Sequence, residues 1–377
     1  MESIAEPQSH FEFFSELLLS APRFSEAGRK TIEFEAALGT SSYLAEVASR
    51  LSPERLDALK TLAISNHVIV RAFRLLKPLL AARGNHDAAE SAAAALQEER
   101  LRIERALRYL HTICSALEQN GCAVTVIKSL DHWPDLGSDL DLYTDTDASK
   151  VVQVMSSQFG GKLAERSWGD RLANKWNFII PGLTEMIEIH VQRLGQTGEQ
   201  TAFTQFLLPR TRIVTIGGKN FRVLAPEDRI IISTLQRMYR HFYIRLCDII
   251  DNARLLDSRE VDFDCLHTIG YASGLWEGIA TYLVVISQYV ERYRGYGVPL
   301  PSLVTNSAKF GVTPVRFRKD FLRVPILPHS LNLYAGELKT LLFRGQLRNS
   351  LRLSLLPGLA TAAALEMRIS GSDKGIW

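Results

Sequence analysis

Along the first 120 residues, apolar positions recur at helical spacing. Ser52 and Pro53 form an N-cap and first-turn pair. After them Leu56, Leu59, Leu62, Ala63, Val70, Phe73, Leu76 and Leu80 carry a stripe to Gly84 and Asn85. The spacing predicts one long helix or two abutting ones. A second stripe through Leu101, Leu107, Leu110, Ile113, Cys114 and Leu117 is flanked by charged residues such as Glu98, Arg102, Glu104 and Arg108. Asn120-Gly121 is its C-cap.

After Gly121 the period shortens to two. Residues 123–127, 140–143, 176–180, 185–192, 211–216 and 220–224 read as strands, with one helix at about 148–159 among them. Pro181-Gly182 and Gly217-Gly218-Lys219 read as hairpin turns. From Ala225-Pro226-Glu227 the pattern is helical again: a continuous amphipathic segment through Asp257, then another helix at 274–292. A proline-punctuated stretch at 299–328 follows, and the last 50 residues show no clear period. The order helical, mixed, helical predicts an α+β protein. Its divisions fall at 1–120 (helical), 121–225 (mixed sheet), 226–300 (helical, completing a cleft) and 301–377 (basic).

Composition narrows the function class. The chain has 377 residues, 46% hydrophobic and 23% charged, with a formal net charge of +3, so its overall field does not hold it to nucleic acid or anionic lipid. Cys114, Cys122, Cys247 and Cys265 lie far apart, with no C-x-x-C pair, so neither a disulfide framework nor a structural zinc site is expected from spacing. Reduced thiols and a first ten residues without an apolar core lead to the expectation of a cytoplasmic protein. The apolar stretches 274–290 and 351–367 are interrupted by Glu277, Gln288, Arg352, Pro357 and Glu366, so both read as buried helices rather than membrane spans.

The chemistry concentrates in the mixed region. Val126-Ile127-Lys128-Ser129 is followed, nine residues on, by Asp139-Leu140-Asp141-Leu142. On a strand Asp139 and Asp141 share one face about 7 Å apart, while Leu140 and Leu142 share the other. Two like charges so placed repel unless a cation lies between them, and Mg²⁺, a hard ion that takes oxygen ligands, suits the pair. The same periodicity puts Glu188, His190 and Gln192 on one face of a second strand, so Glu188 is the candidate third carboxylate. Three carboxylates with one or two Mg²⁺ ions are the minimal apparatus of in-line phosphoryl or nucleotidyl transfer. Lys128 and Ser129 stand at a strand-to-turn junction where backbone amides and an ammonium can face phosphate.

These residues resemble the nucleotidyltransferase superfamily with the polymerase-β-type palm, and within it a bacterial family of uncharacterised nucleotidyltransferases. That family's pattern is matched by Ile127-Lys128-Ser129, Asp139-Leu140-Asp141, Glu188-Ile189-His190 and Pro226-Glu227-Asp228, over roughly residues 100–257. The resemblance implies a palm with Asp139, Asp141 and Glu188 as catalytic metal ligands, and Lys128 and Ser129 as the phosphate-facing turn. Ser129 stands where the family usually has Gly. An Arg often found shortly before the Asp pair is missing from Pro134-Asp135-Leu136-Gly137-Ser138.

The expectation is a Mg²⁺-dependent enzyme that moves an NMP unit from an NTP such as ATP to a hydroxyl of an acceptor, whether small molecule, protein or RNA. A kinase-like phosphotransferase using the same site, or an inactive palm serving as a binding scaffold, are the alternatives. Oligomeric state and pathway are not legible. Arg245, with Arg240, is a candidate triphosphate or acceptor contact on a polar stripe with His241, Asp248 and Asn252; an ordinary Arg245–Asp248 ion pair is the competing reading. His190, His132, Trp133, Lys175, Trp176 and Asn177 are secondary candidates. The segment 309–352 holds nine Lys or Arg against Asp320 and Glu337, which reads either as an anion-binding face or as a solvated one over an aromatic core.

Overall fold

The structure, a computed structural model, describes residues 5–20 and 42–358. Residues 1–4 of the N-terminal stretch read above, the part of the basic region beyond 358 and the second half of the helix expected at 351–367 lie outside them.

The helical N-terminal region comprises α1 (Ala5–Leu19), α2 (Ser42–Ser49), α3 (Pro53–Ser65), α4 (Ile69–Ala82) and α5 (His86–Gln119). The first stripe is two abutting helices, because the chain turns at residues 66–68, where His67 adopts φ +52°. Ser52 caps α3, its Oγ accepting the Arg55 N–H at 3.4 Å. The 34 residues of α5 run about 50 Å. They bury Ile103, Leu107, Leu110, Ile113 and Leu117 as the helix packs mainly on α4 and also on the sheet, and leave Leu101, part of the predicted stripe, exposed.

Seven strands form one mixed sheet: β1 (Val124–Val126), β2 (Asp139–Thr144), β3 (Lys162–Leu163), β4 (Lys175–Ile179), β5 (Met186–Val191), β6 (Arg212–Ile216) and β7 (Lys219–Val223), in the order β3-β4-β5-β2-β1-β7-β6. The pairs β2–β5 and β1–β7 are parallel and the rest antiparallel. Helices α6 (Ala148–Phe159), α7 (Trp168–Leu172) and α8 (Thr201–Leu207) fill the connections. Gly217 and Gly218, both at positive φ, make the two-residue turn between β6 and β7 that other residues would adopt only with strain. Leu140, Leu142, Ile187, Ile189 and Val191 have no exposed surface. Each contributes roughly 1.5–3 kcal/mol by burial. A one-residue slip of β2 or β5 would turn these side chains out, so core packing fixes the register of the acidic residues between them.

The third region departs from expectation. Instead of one amphipathic helix to Asp257, α9 (Pro226–Thr234) runs into a π-helical turn at Leu235–Arg240 and stops at Phe242, which has φ +53°. Strand β8 (Tyr243–Ile244) follows, and α10 (Leu246–Asp257) starts anew. The break serves long-range pairing: Tyr243 and Ile244 lie against Arg323 and Leu322 in a three-stranded sheet. Beyond it come α11 (Phe263–Ala272), the buried α12 (Trp276–Arg294), α13 (Ser302–Ser307), β9 (Arg316–Arg318), β10 (Phe321–Arg323), α14 (Leu331–Phe343) and α15 (Leu347–Ser354). The fold is α+β, a mixed seven-stranded sheet between helical segments. Among the described residues no helix is long and apolar enough to cross a membrane.

Candidate functional site

Register brings the predicted side chains together. In the parallel pair β2–β5, Asp141 is opposite Glu188 and Tyr143 opposite His190. In the antiparallel pair β4–β5, Asn177 is opposite Glu188 and Lys175 opposite His190. Directly paired residues share a sheet face, so Asp141, Glu188, His190, Lys175 and Asn177 form one polar patch across three strands. Ligand atoms of Asp141, Glu188 and His190 lie within 4.8 Å of one another. His190 Nε2 is 2.8 Å from Glu188 Oε1, and Lys175 Nζ is 2.6 Å from Glu188 Oε2 and 3.4 Å from Asp170 Oδ1. Asp139 is two residues upstream of Asp141, exposed at the start of β2 and outside that compact group.

Lys128 reaches the same carboxylates from the turn after β1. Its Nζ pairs with Asp141 Oδ1 and lies 3.6 Å from Glu188 Oε1. The backbone there is strained: Lys128 has φ +62° and ψ −56°, and the Ser129 N–H donates to the Ile127 carbonyl at 2.6 Å, a γ-turn. Such turns cost energy and persist where the surroundings over-determine them. The Ser129 hydroxyl supplies part of that constraint, accepting the Asp141 N–H at 2.7 Å and donating to the Asp139 carbonyl at 3.3 Å. Ser129 is buried, and its hydroxyl is spent on the backbone of β2.

Charge balance follows from these contacts. Burial opposes ionisation of Glu188, but Lys128, Lys175 and His190 outweigh it and hold the carboxyl well below its usual range. Burial also opposes the charge on Lys128, yet Asp141 and Glu188 overcome it and raise its pKa, with Arg240 acting against them. Asp139, although its residue surface is open to solvent, has its carboxyl crowded by the surrounding chain, and it is pushed up to about 6, first by that desolvation and then by repulsion from Asp141 and Glu188. Two buried polar atoms in the patch, Asn177 Oδ1 and His190 Nδ1, have no hydrogen-bond partner.

Other predicted residues fall elsewhere. Arg245 sits at the start of α10, its guanidinium over the rings of Tyr243 and Phe321, and no hydrogen bond or ion pair joins it to the carboxylates. The Arg245–Asp248 ion pair of the competing reading is not formed: the side-chain partner of Asp248 is the buried Arg237, at 2.7 Å, while Arg245 offers Asp248 only its backbone N–H. Trp133 is 38% exposed rather than plugged into the core. The loop before the Asp pair, which lacks the arginine often found there, is braced from the N-terminal helices. Arg102 of α5 donates to the carbonyls of Leu136 and Gly137 at 3.0 and 3.3 Å and pairs with Glu185. The sequence did not single out Arg102, and it named Lys175 only as a secondary candidate without a partner, since each arrives through a tertiary contact.

A mixed palm whose central parallel strands carry Asp-x-Asp beside Glu-x-His defines the nucleotidyltransferase class of fold. The chain belongs to the family described as uncharacterised nucleotidyltransferases, whose model matches residues 52–288. The crystal structure of an antigenic nucleotidyltransferase-like protein from Paracoccidioides brasiliensis is similar over 54% of this chain and 97% of that one, at 16% identity and a TM-score of 0.33. No curated protein matches the chain.

Proposed function

We propose that this protein transfers a nucleotidyl group from an NTP to an acceptor hydroxyl, with the patch around Asp141 and Glu188 as its active site. The observation that carries the reading is a cation already bound there by geometry. The Lys128 ammonium bridges carboxylates from two neighbouring strands, so the position favours positive charge and is lined by oxygen donors. That donor set fits Mg²⁺, as does the unpartnered amide oxygen Asn177 Oδ1, which has bonding capacity to spare. Asp141 and Glu188 would hold the ion, with Asp139 at the open end of β2. When bound, it would neutralise triphosphate charge and polarise the α-phosphorus.

The chain's own residues supply the rest. Lys175 and His190 clamp both oxygens of Glu188 and fix its orientation. Ser129 locks the β2 backbone between the two aspartates. Lys128, on its strained turn, is placed to exchange its carboxylate contacts for phosphate oxygens, and Arg240 stands close enough to act on the same charge. Three carboxylates (Asp139, Asp141, Glu188) face two ammonium groups (Lys128, Lys175), a balance that suits one divalent ion better than two.

That same balance favours a second reading, a palm that binds nucleotide without transferring it, because the lysines already compensate most of the acidic charge. Incubation with α-labelled and γ-labelled ATP, Mg²⁺ and a lysate of the host separates the outcomes. Transfer of the α-label alone supports nucleotidyl transfer, transfer of the γ-label alone makes the protein a kinase, and calorimetric binding without either transfer supports the inert palm.

A further inference from the structure

Behind the segment that joins Lys128 to Asp139, the fold gathers a second cluster of a different chemical kind. His67, His132 and Cys247 come from three separate stretches of chain, and one ligand atom from each lies within 4.8 Å of the others. Cys247 and Asp251 are one turn apart on α10 and meet the two ends of the same imidazole. Asp251 Oδ2 is 2.6 Å from His132 Nδ1, and Cys247 Sγ is 3.9 Å from His132 Nε2. His67 occupies the break between α3 and α4 at φ +52°. Its neighbour Asn66 ties that break to α10, accepting the Leu246 N–H on Oδ1 at 3.0 Å and the Cys247 N–H on its carbonyl at 3.3 Å. The rings of His67 and His132 meet edge to face at 5.6 Å, and the buried His67 Nδ1 has no hydrogen-bond partner.

We propose that His67, His132 and Cys247 bind one zinc-like divalent transition-metal ion, separate from the carboxylate patch. Two imidazoles and a thiolate select a borderline-soft metal and reject Mg²⁺ and Ca²⁺, which take oxygen ligands. Asp251 already performs the outer-sphere task such sites require: its hydrogen bond to Nδ1 directs Nε2 toward Cys247. Edges of a filled Zn²⁺ tetrahedron with these ligands are about 3.3–3.7 Å, so an inward shift of ~1 Å closes the present spacing. A fourth position is left for water. On binding, the Cys247 thiol gives its proton to solvent, His132 gives up any proton on Nε2 while keeping the one on Nδ1 that Asp251 accepts, and the thiolate and the bare Nε2 bond the metal. The Cys-His-Asp order also resembles a hydrolase triad, but Cys247 has no exposed surface, so its sulfur cannot reach a substrate. Its place is structural. His132 closes the short 3₁₀ turn Ser129–His132, so the ion would pin to α10 and the α3–α4 break the same turn that carries Ser129.

The test is a Co²⁺ titration of the full-length, chelator-treated protein followed by absorption. Expected are one equivalent bound with a thiolate-to-cobalt charge-transfer band and the intense visible bands of a tetrahedral site, both bleached by Zn²⁺. Asp141→Asn should keep this spectrum and Cys265→Ser should keep it too, whereas Cys247→Ser should lose the charge-transfer band and His132→Ala the tetrahedral bands. Binding without a sulfur band in the wild type, no binding, or a band that survives Cys247→Ser overturns the proposal. The wild-type reading is decisive even where a variant does not fold.

Discussion

The Ser129 hydroxyl accepts the backbone N–H of Asp141 at 2.7 Å, bonding the turn after β1 to the second aspartate of the pair. Ser129→Ala would leave that buried N–H unpaired, at a cost of roughly 1–3 kcal/mol. The denaturation midpoint should fall accordingly, and Mg²⁺ affinity measured by calorimetry should drop with it, because Asp141 loses its backbone anchor. An unchanged midpoint would mean that water replaces the hydroxyl and that Ser129 does not position the strand.

Glu188 and Asp139 should respond in opposite senses to loss of charge. Glu188→Gln leaves Lys175, Lys128 and His190 around a neutral amide in a buried setting, and removing one partner of a buried pair typically costs about 3–5 kcal/mol. Asp139→Asn removes a carboxylate that Asp141 and Glu188 repel, so its melting temperature at neutral pH should equal or exceed that of the wild type. Both variants should lose nucleotidyl transfer. Thermal melts in metal-free buffer check the contrast, and equal destabilisation of the two would contradict the charge distribution described here.

Lys128→Met separates the two jobs assigned to that ammonium. Without it, Asp141 and Glu188 face each other with only Lys175 and His190 to compensate, so Mg²⁺ alone should bind more tightly, by roughly tenfold or 1.4 kcal/mol. NTP binding in the presence of Mg²⁺ should weaken, because the phosphate oxygens lose their cation. Calorimetric titrations of both ligands measure this crossing, and parallel changes in the two affinities would refute it.

The acidic faces were legible because β2 and β5 alternate strictly, with Leu140, Leu142, Ile187 and Ile189 sealing one side and the polar residues left on the other. Periodicity does not specify which strand lies beside which. Lys175 therefore could not be placed on Glu188 until the antiparallel β4–β5 register was seen. The break at Phe242 was hidden for a related reason. Residues 235–256 keep helical spacing and contain no Gly or Pro, but pairing of Tyr243 and Ile244 with a strand some 80 residues onward overrides local propensity. The stripe drawn through Arg245, Asp248 and Asn252 consequently missed the neighbouring face, where Cys247 and Asp251 meet His132.

Asp228, in the first turn of α9, gives a pH prediction away from the site. It has no exposed surface and both carboxyl oxygens lack a hydrogen-bond partner; the nearest cation, Arg210 Nε, is 3.7 Å away and its guanidinium also serves Glu227. Burial lifts its pKa from the usual 3.8 to about 7, with Arg210 opposing and Glu227 adding to the rise. In the unfolded chain the group ionises near 3.8, whereas in the folded chain it stays neutral to about 7. Its contribution to stability is therefore complete below the lower value and is lost as pH rises through the upper one. The full span amounts to at most about 4 kcal/mol at 1.36 kcal/mol per unit. Asp228→Asn cannot titrate, so its unfolding free energy should fall less steeply than the wild type's between the two values, and the variant should gain on the wild type as pH rises. Urea unfolding across that range measures the difference, and parallel profiles would show that Asp228 is ionised in the folded protein.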